Sequence, residues 1–217
     1  IGSPTLAMPG YDVQILSDDG KKVKVGVLGA IAIKLPLPPA SLLTLWNADN
    51  RFIKAYLSTF PGYYETGDAG YQDEDGYLYI MSRTDDVINV AGHRLSTGAM
   101  EEVLSNHPDV AECAVIGVAD KLKGQVPLGL ICLNNNCNKP HQEVCKEIVA
   151  LVRNEIGPVA AFKSVAVVSA LPKTRSGKIL RATIRKIADN IDWEMPATVD
   201  NPLVFDEIKK ALKPLGY

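Results

Sequence analysis

The chain has 217 residues, 47% of them hydrophobic, which is enough for an apolar core in one large domain or two smaller ones. Its formal net charge is -2 and its isoelectric point is about 6.0, so composition gives no reason to expect a nucleic-acid or anionic-membrane surface. No segment of the sequence is long and apolar enough to predict a membrane span.

The first 85 residues have the composition of strands and turns. The alternating, β-branched residues 11–16 predict a strand, and residues 22–34 predict two short strands or one bulged strand. Residues 35–39 contain three prolines and are expected to form a loop, because proline cannot donate to a sheet. The remaining predictions for this part are a short helix at 51–57, a turn at 73–76 and a strand at 77–81.

After residue 86 the pattern changes to strands interleaved with helices. Thr97 is predicted to cap a helix on its N-terminal side. Further helices are predicted at 143–156, at about 180–188 and in the tail beyond residue 191. Core strands are predicted at 87–90, 111–118, 128–133 and 165–169. The alternation indicates a compact α+β domain.

The four cysteines are expected to be reduced thiols that are buried or incidental. They contain no CxxC pair, and the three histidines do not complete a zinc pattern, so no metal site is predicted. Cys113 and Cys132 lie in apolar, strand-like runs, which favours buried thiols and a reducing compartment.

Two polar groups in the first part of the chain are candidates for a nucleotide site. Asp68 follows Thr66 and Gly67, and a carboxylate there suits the two hydroxyls of a ribose, although it also suits the closure of a turn. Arg83 opens the polar run after a predicted strand. It suits a ribose or phosphate oxygen, or a surface pair with Asp85 or Asp86.

The junction between the two parts carries a second set of candidates. Asp85 and its neighbour suit metal ligation, acid catalysis or a linker, and we favour a hinge, because nothing nearby completes a metal shell. Ala91 and Gly92 predict a tight turn that another molecule can approach closely. Arg94 is a candidate phosphate ligand, because a guanidinium fork matches phosphate oxygens.

The last candidates are basic. Lys178 follows a glycine on a loop between a predicted strand and a predicted helix, and a mobile ammonium there suits an anionic reaction centre. The loop is not a Walker A motif, because the required earlier glycine is absent. Arg153, on the polar side of the helix at 143–156, suits the phosphates of a large cofactor or a solvated helix face.

Taken together, these segments resemble the adenylate-forming superfamily, and in particular the short-chain acyl-CoA synthetases that activate acetate or propionate. The resemblance covers nearly the whole chain and rests on five segments in the family's order: Tyr64-Glu-Thr-Gly-Asp68, residues 73–77 (Asp-Glu-Asp-Gly-Tyr), residues 82–94, Lys123-Gly-Gln125 and residues 171–178 (Leu-Pro-Lys-Thr-Arg-Ser-Gly-Lys). Any one of them is a weak signal, and the ordered set is specific.

The resemblance implies a two-step ligase reaction. A short-chain carboxylate and Mg²⁺·ATP give an acyl-adenylate and pyrophosphate, and coenzyme A then gives acyl-CoA and AMP. It implies that Asp68, Arg83 and Arg94 bind the nucleotide, that Lys178 serves adenylation and that Asp85 is the hinge of a rotating domain. The Ala91 and Gly92 backbone and Arg153 are implied to contact coenzyme A.

The resemblance also implies that part of the enzyme lies upstream of Ile1. The family's phosphate loop and acyl pocket precede the strand with which this sequence opens, so we expect a fragment that is inactive alone. We expect residues 1–84 to be the distorted, barrel-like β-rich end of a large adenylation domain. Residues 85–217 are expected to be a mobile α+β domain with a short central sheet flanked by helices. The expected compartment is the mitochondrial matrix or the cytoplasm.

Two other functions remain open from the sequence. An adenylation domain that loads an acid onto a carrier protein has the same nucleotide residues and a different acceptor. A non-catalytic module that binds nucleotide or coenzyme A needs only the binding residues.

Overall fold

The computed structural model describes residues 2–217, which divide into two compact units. Unit 1 ends at Asp85, and unit 2 comprises residues 86–217. The three residues Thr84–Asp86 form a short 3₁₀ helix at this boundary.

Unit 1 is built on an antiparallel sheet with its strands in chain order. Its elements are β1 (Val13–Leu16), β2 (Gly29–Lys34), helix α1 (Asp49–Tyr56), β3 (Tyr63–Gln72) and β4 (Leu78–Arg83). The sheet order is β1-β2-β3-β4, with register shifts within the β2–β3 and β3–β4 pairs. Over the described residues the sheet stays open, so the barrel-like distortion expected there does not close into a barrel.

Two predictions for unit 1 need correction. The strand predicted at 22–34 forms only in its second half, as β2, because residues 22–28 make turns and a single bridge. The segment 64–68, interpreted as a glycine turn that ends in Asp68, lies inside β3. The left-handed Gly67, at φ +79°, lies between Glu65 and Ala69, where the β2–β3 pairing is irregular.

Unit 2 is an α+β domain with a mixed five-stranded sheet. Its elements are β5 (Val87–Val90), β6 (His93–Ser96), α2 (Thr97–Ser105), β7 (Val110–Asp120), β8 (Gly124–Leu133), α3 (His141–Glu155), β9 (Ser164–Val167), α4 (Arg181–Ala188) and α5 (Val204–Leu212). The order is β6-β5-β8-β7, and β9 pairs in parallel with β8. The predicted α+β class, with a sheet flanked by helices, is confirmed.

Both faces of the sheet of unit 2 are covered because its long strands alternate between two cores. Ala114, Ile116 and Val118 of β7 pack on one side with α4 and α5. Val115 of the same strand packs on the other side, with buried residues of α2 and α3 such as Met100 and Ile148. Successive side chains of a strand point to opposite faces, so a continuous apolar run is what a sheet covered on both sides requires.

The N-terminus of α2 differs from the prediction by one residue. Ser96 is the capping residue, and its hydroxyl accepts the backbone N–H of Ala99 at 3.4 Å. Thr97 is the first helical residue and is buried, so the prediction that it caps the helix was wrong.

Several large apolar side chains of unit 1 face solvent. The loop before α1 exposes Leu43 (87%) and Trp46 (92%) together with Leu42. Among the described helices, none has the length and hydropathy needed to cross a membrane.

Candidate functional site

Asp68 and Arg83 face each other across two neighbouring strands of unit 1. They are register partners in the β3–β4 pair, and the Nη1 of Arg83 lies 3.4 Å from the Oδ1 of Asp68. The Nε of Arg83 also lies 3.6 Å from a carboxylate oxygen of Asp85. The Arg83 guanidinium therefore lies between Asp68, the candidate ribose ligand, and Asp85, the candidate hinge. The surface pair with Asp85 is present, and the same guanidinium is next to the proposed ribose position.

Local hydrogen bonds fix the backbone around Asp68. The Thr66 hydroxyl donates to the carbonyl of Ile31 at 2.7 Å and accepts the N–H of Asp68 at 3.2 Å. The Thr84 hydroxyl donates to the carbonyl of Gly67 at 3.2 Å. The carboxylate of Asp68 remains 33% exposed, so it is positioned by its backbone and accessible to a hydroxyl-bearing ligand.

The end of the Arg83 side chain approaches the backbone closely at Gly67. A Cβ at this position would lie 2.6 Å from Arg83 Nη2, and the backbone is left-handed. We expect Gly67→Ala to lower the free energy of unfolding by the about 1–2 kcal/mol of left-handed strain, plus at most about 1 kcal/mol for moving the exposed Arg83 guanidinium off Asp68. Denaturant unfolding of the chain measures this loss.

Gly62→Ala is the matched control for that substitution. Gly62 is also left-handed, at φ +85°, but a Cβ there meets nothing within 4 Å. Gly62→Ala introduces the same left-handed strain without a contact to Arg83. Equal losses of unfolding free energy in the two variants would contradict the contribution assigned to the Arg83 contact.

Ala91 and Gly92 form a two-residue turn between β5 and β6. Both have positive φ, +50° and +89°, which is the conformation of a type I′ hairpin turn. The N–H of Gly92 donates to the Asn89 side chain at 3.0 Å, and the N–H of Ala91 donates to the carbonyl of Lys123 at 2.8 Å. The turn that was expected to precede a helix is therefore a β-hairpin, and β6 was not anticipated.

The basic segment around Lys123 is brought against this hairpin. Gly124 begins β8 and pairs with Val90 of β5, and the Gln125 side chain accepts the N–H of Asn89 at 2.9 Å. Two of the five motif segments, far apart in the chain, thus form one surface. Arg94 lies on β6 opposite Asn89, within the same hairpin.

Arg153 lies in a groove of about 420 Å³ that is lined by α3, the start of β9 and Leu215. Three of its lining residues are cationic: Lys146, Arg153 and Lys163. The other lining residues are mostly apolar: Cys145, Val149, Ala150, Ser164, Val165 and Leu215. None of the three cations forms a hydrogen bond or a close ion pair with other described residues, so the groove suits an anionic ligand with a less polar body.

The loop that carries Lys178 is a turn closed by backbone hydrogen bonds. The N–H of Thr174 donates to the carbonyl of Lys178 at 2.8 Å, and the N–H of Gly177 donates to the carbonyl of Thr174 at 2.8 Å. The Thr174 hydroxyl accepts the N–H of Lys178 at 3.1 Å, while the Lys178 side chain is exposed. The mobile ammonium expected from the sequence therefore starts from an ordered backbone.

Two contacts that bear on this loop were missed by sequence reasoning. Arg181, just beyond the loop, makes a two-pronged ion pair with Glu101 of α2, and Lys173 pairs with Glu112 of β7. The partners lie 80 and 61 residues apart, and each charge alone resembles a solvated surface residue.

The four cysteines are free thiols. Burial raises the pKa of Cys113 and of Cys132 to about 11, and it raises the pKa of Cys145 as well. Thiolate is the nucleophilic form, so these three side chains are poor acyl acceptors at neutral pH.

His107, Asp109 and Glu147 bring their possible ligand atoms within 4.8 Å of one another. The ammonium of Lys139 lies 2.8 Å from Glu147 Oε2 and 3.2 Å from Asp109 Oδ2. The ring of His107 bonds Glu147 through Nε2 and accepts the N–H of Asp109 at Nδ1. The lysine supplies the positive charge that a metal ion would bring, so this group is an ion-pair cluster.

This cluster predicts an acid-sensitive contribution to stability. Hydrogen bonds from Lys139 and then His107 lower the pKa of Glu147, so its contribution is present above the unfolded value near 4.5 and is lost as pH falls through the folded value. Glu147→Gln should reduce the urea midpoint of the chain at pH 7, and the gap to wild type should narrow as pH falls below 4.5. The exposed Glu194→Gln is the control, and a gap that does not depend on pH would contradict the assignment.

Residues 99–178 match the family of the AMP-binding enzyme C-terminal domain. Over its full length the chain superposes on the acetoacetyl-CoA synthetase from Streptomyces lividans with a TM-score of 0.83 at 19% identity, covering 33% of that protein, which is a likeness of fold. The matched residues all lie in unit 2, and the resemblance to adenylate-forming enzymes is confirmed.

The chain also has similar sequences among proteins that are named as short-chain and propionate enzymes. The chain is 50% identical over 212 residues to the mitochondrial acyl-CoA synthetase short-chain family member 3 of Mus musculus, which covers 98% of this chain and 31% of that protein. It is 44% identical over 219 residues to the propionate–CoA ligase of Escherichia coli, which covers 98% of this chain and 35% of that protein. The chain thus spans about a third of the length of these relatives.

Proposed function

We propose that the chain is the C-terminal portion of an AMP-forming short-chain acyl-CoA synthetase. The observation that carries the proposal is 44% identity to a propionate–CoA ligase over a region that includes Asp68, Arg83 and Lys178. In the first step a carboxylate oxygen attacks the α-phosphorus of ATP, and pyrophosphate leaves. In the second step the thiol sulfur of coenzyme A attacks the acyl carbon, and AMP leaves with the electron pair of the broken C–O bond.

In unit 1 the proposed roles concern the nucleotide and the junction. Asp68 accepts hydrogen bonds from the two ribose hydroxyls, and Arg83 contacts the ribose while holding Asp68 in place. Residues 1–84 are the end of the large adenylation domain, and residues 85–217 are the mobile domain that turns about Asp85. A hinge needs few residues between rigid elements, and Asp85 ends the first compact unit.

In unit 2 the proposed roles divide between the two steps. Lys178 neutralises the charge that develops between carboxylate and α-phosphate during adenylation, and Arg94 contacts nucleotide phosphate. The Ala91 and Gly92 backbone lines the path of the coenzyme A arm, which fits the open space beside Gly92. Arg153, flanked by Lys146 and Lys163, meets the phosphates of the coenzyme A nucleotide.

Mg²⁺ belongs to the reaction as the partner of ATP. Asp68 and Asp85 are both close to the Arg83 guanidinium, which does not fit a metal shell. We therefore assign no metal ligand to this chain, and the ion enters with its nucleotide as substrate.

The names of the relatives support a proposal for the acid and for the compartment. The acid is a short-chain carboxylate, acetate or propionate, because the relatives are named as short-chain and propionate enzymes. The compartment is the mitochondrial matrix or the cytoplasm, because the mouse relative is named as mitochondrial and the bacterial one is not.

The proposal is tested with the full-length enzyme that contains this chain. Acid-dependent exchange of pyrophosphate into ATP reports adenylation, and AMP release with free coenzyme A reports the complete reaction. Exchange without AMP release on adding coenzyme A would favour a carrier-protein acceptor. Nucleotide binding by the chain in calorimetry, with no exchange in the full-length enzyme, would favour a binding module.

Arg153→Ala should raise the KM for coenzyme A without changing pyrophosphate exchange. A hydrogen bond to a charged group is worth about 1.5–3 kcal/mol, so a rise of about tenfold or more is expected. Arg185→Ala, on the opposite side of the sheet, is the matched control. An unchanged KM for coenzyme A would remove Arg153 from the site.

A further inference from the structure

The C-terminal tail runs beside the loop that carries Lys178. We call residues 173–179 the lysine loop and residues 196–200 the tail segment. The N–H of Arg175 donates to the carbonyl of Thr198 at 2.9 Å, and the N–H of Asp200 donates to the carbonyl of Lys173 at 2.9 Å. Thr174 and Val199 form an antiparallel bridge, so the tail segment pairs with the lysine loop as a short second strand.

The tail segment is itself anchored in the core of unit 2. Val199 is partly buried and packs against the cluster that contains residues of α4 and α5. Trp193 packs against the same cluster, and its ring lies 4.9 Å from that of Phe205. The backbone pairing therefore fixes the lysine loop relative to the core of unit 2.

Ion pairs hold both ends of the lysine loop. Arg181 donates from Nε and Nη2 to the two carboxylate oxygens of Glu101 at 2.9 and 2.8 Å, and both side chains are largely buried, at 25% and 17% exposure. Glu101 Oε1 also accepts the N–H of Val115 at 2.9 Å, which ties α2 to β7. Lys173 pairs with Glu112 at the other end of the loop.

These contacts bear on catalysis because the Lys178 side chain is exposed and has no fixing contact among the described residues, whereas its backbone closes the turn with Thr174. The backbone therefore sets the point from which the flexible Lys178 side chain reaches a reacting phosphate. A displacement of about 1 Å in a catalytic group can cost about 10²-fold in rate.

We propose that the tail segment, together with the Glu101–Arg181 pair, is a positioning device for Lys178 in adenylation. This inference rests on the proposed function. It assigns a role in the first half-reaction to residues that do not touch the substrate, and it leaves thioester formation independent of them.

The first test compares two substitutions at Asp200 in the full-length enzyme. Asp200→Pro removes the N–H that donates to Lys173, whereas Asp200→Ala keeps it and removes only an exposed carboxylate. We expect Asp200→Pro to lower kcat for pyrophosphate exchange at least tenfold more than Asp200→Ala. The KM for ATP and thioester formation from supplied acyl-adenylate should stay within about twofold of wild type.

A structural role alone would reduce both half-reactions together. Equal adenylation rates in Asp200→Pro and Asp200→Ala, or parallel losses in both half-reactions, would overturn the proposal.

A second variant avoids proline. Arg181→Lys keeps the charge and loses the two-pronged geometry, and Arg185→Lys is the same change on the same helix away from Glu101. Adenylation kcat should fall several-fold in the first variant and not in the second, with thioester formation unchanged in both. Identical behaviour of the two variants would count against the ion pair as a positioning element.

A third measurement does not depend on activity. Amide hydrogen exchange of Arg175 in the chain itself should accelerate at least tenfold in Asp200→Pro and not in Asp200→Ala, if the two strands open together. Absent pyrophosphate exchange in the wild-type enzyme would reject the proposed function, whereas unchanged amide exchange would reject the pairing of tail and loop.

Discussion

Lys178→Ala in the full-length enzyme is expected to abolish adenylation while thioester formation survives. The ammonium is proposed to stabilise charge that develops only in the first transition state, so removing it should not affect attack by the thiol. Loss of one preorganised electrostatic donor costs about 10²–10³ in rate, or about 2.7–4 kcal/mol. Acid-dependent pyrophosphate exchange measures the first step, and acyl-CoA formation from supplied acyl-adenylate measures the second.

Lys210→Ala is the control for this experiment. Lys210 is an exposed lysine of α5, in the same unit as Lys178, and its loss tests the effect of one charge on the whole unit. Survival of both half-reactions in Lys178→Ala would show that the lysine has been given the wrong role. Loss of both would point to a general defect of unit 2.

Asp85→Pro is expected to separate the two half-reactions for a different reason. Proline removes the N–H of residue 85 and drives Thr84 away from helical φ and ψ, and the 3₁₀ turn Thr84–Asp86 requires those angles. If unit 2 rotates about this turn between steps, a restricted turn favours one orientation. One half-reaction should then fall at least about tenfold, equivalent to about 1.4 kcal/mol, while the other is retained.

Glu74→Pro is the matched proline control for the hinge. Glu74 lies in the turn between Asp73 and Gly76, at the position where proline is favoured, and the hydrogen bonds of that turn come from other residues. Its kinetics should match wild type in both steps. Unchanged rates of both half-reactions in Asp85→Pro would show that Asp85 is not the hinge.

Elements with a strong local pattern were predictable from the sequence. The helix at 143–156 appears as α3 (His141–Glu155), because apolar side chains at helical spacing and a following Gly-Pro pair are local signals. Strand β3 was missed because Thr66, Gly67 and Asp68 are typical turn residues. Their place in the sheet depends on β2 and β4, which approach from elsewhere in the chain.

The candidate site residues were also found by local sequence signals, and all except Arg153 lie in the five motif segments. Which of these segments contact one another in the fold could not be predicted, because the contacts join residues far apart in the chain. The Ala91–Gly92 turn was hard to recognise as a hairpin because alanine is unusual where φ must be positive. The hydrogen bonds between the tail segment and the lysine loop involve backbone atoms alone, so no residue type in the sequence reveals them.

The exposed loop of Leu42, Leu43 and Trp46 has a practical consequence for work on the chain. Exposed, contiguous apolar side chains promote association, so we expect the isolated chain to self-associate through unit 1. Light scattering should increase with concentration, and substituting Leu43 and Trp46 by polar residues should reduce it without altering the fold of unit 2. For crystallography or calorimetry of the C-terminal domain, expression from residue 86 onward would leave this source of self-association behind.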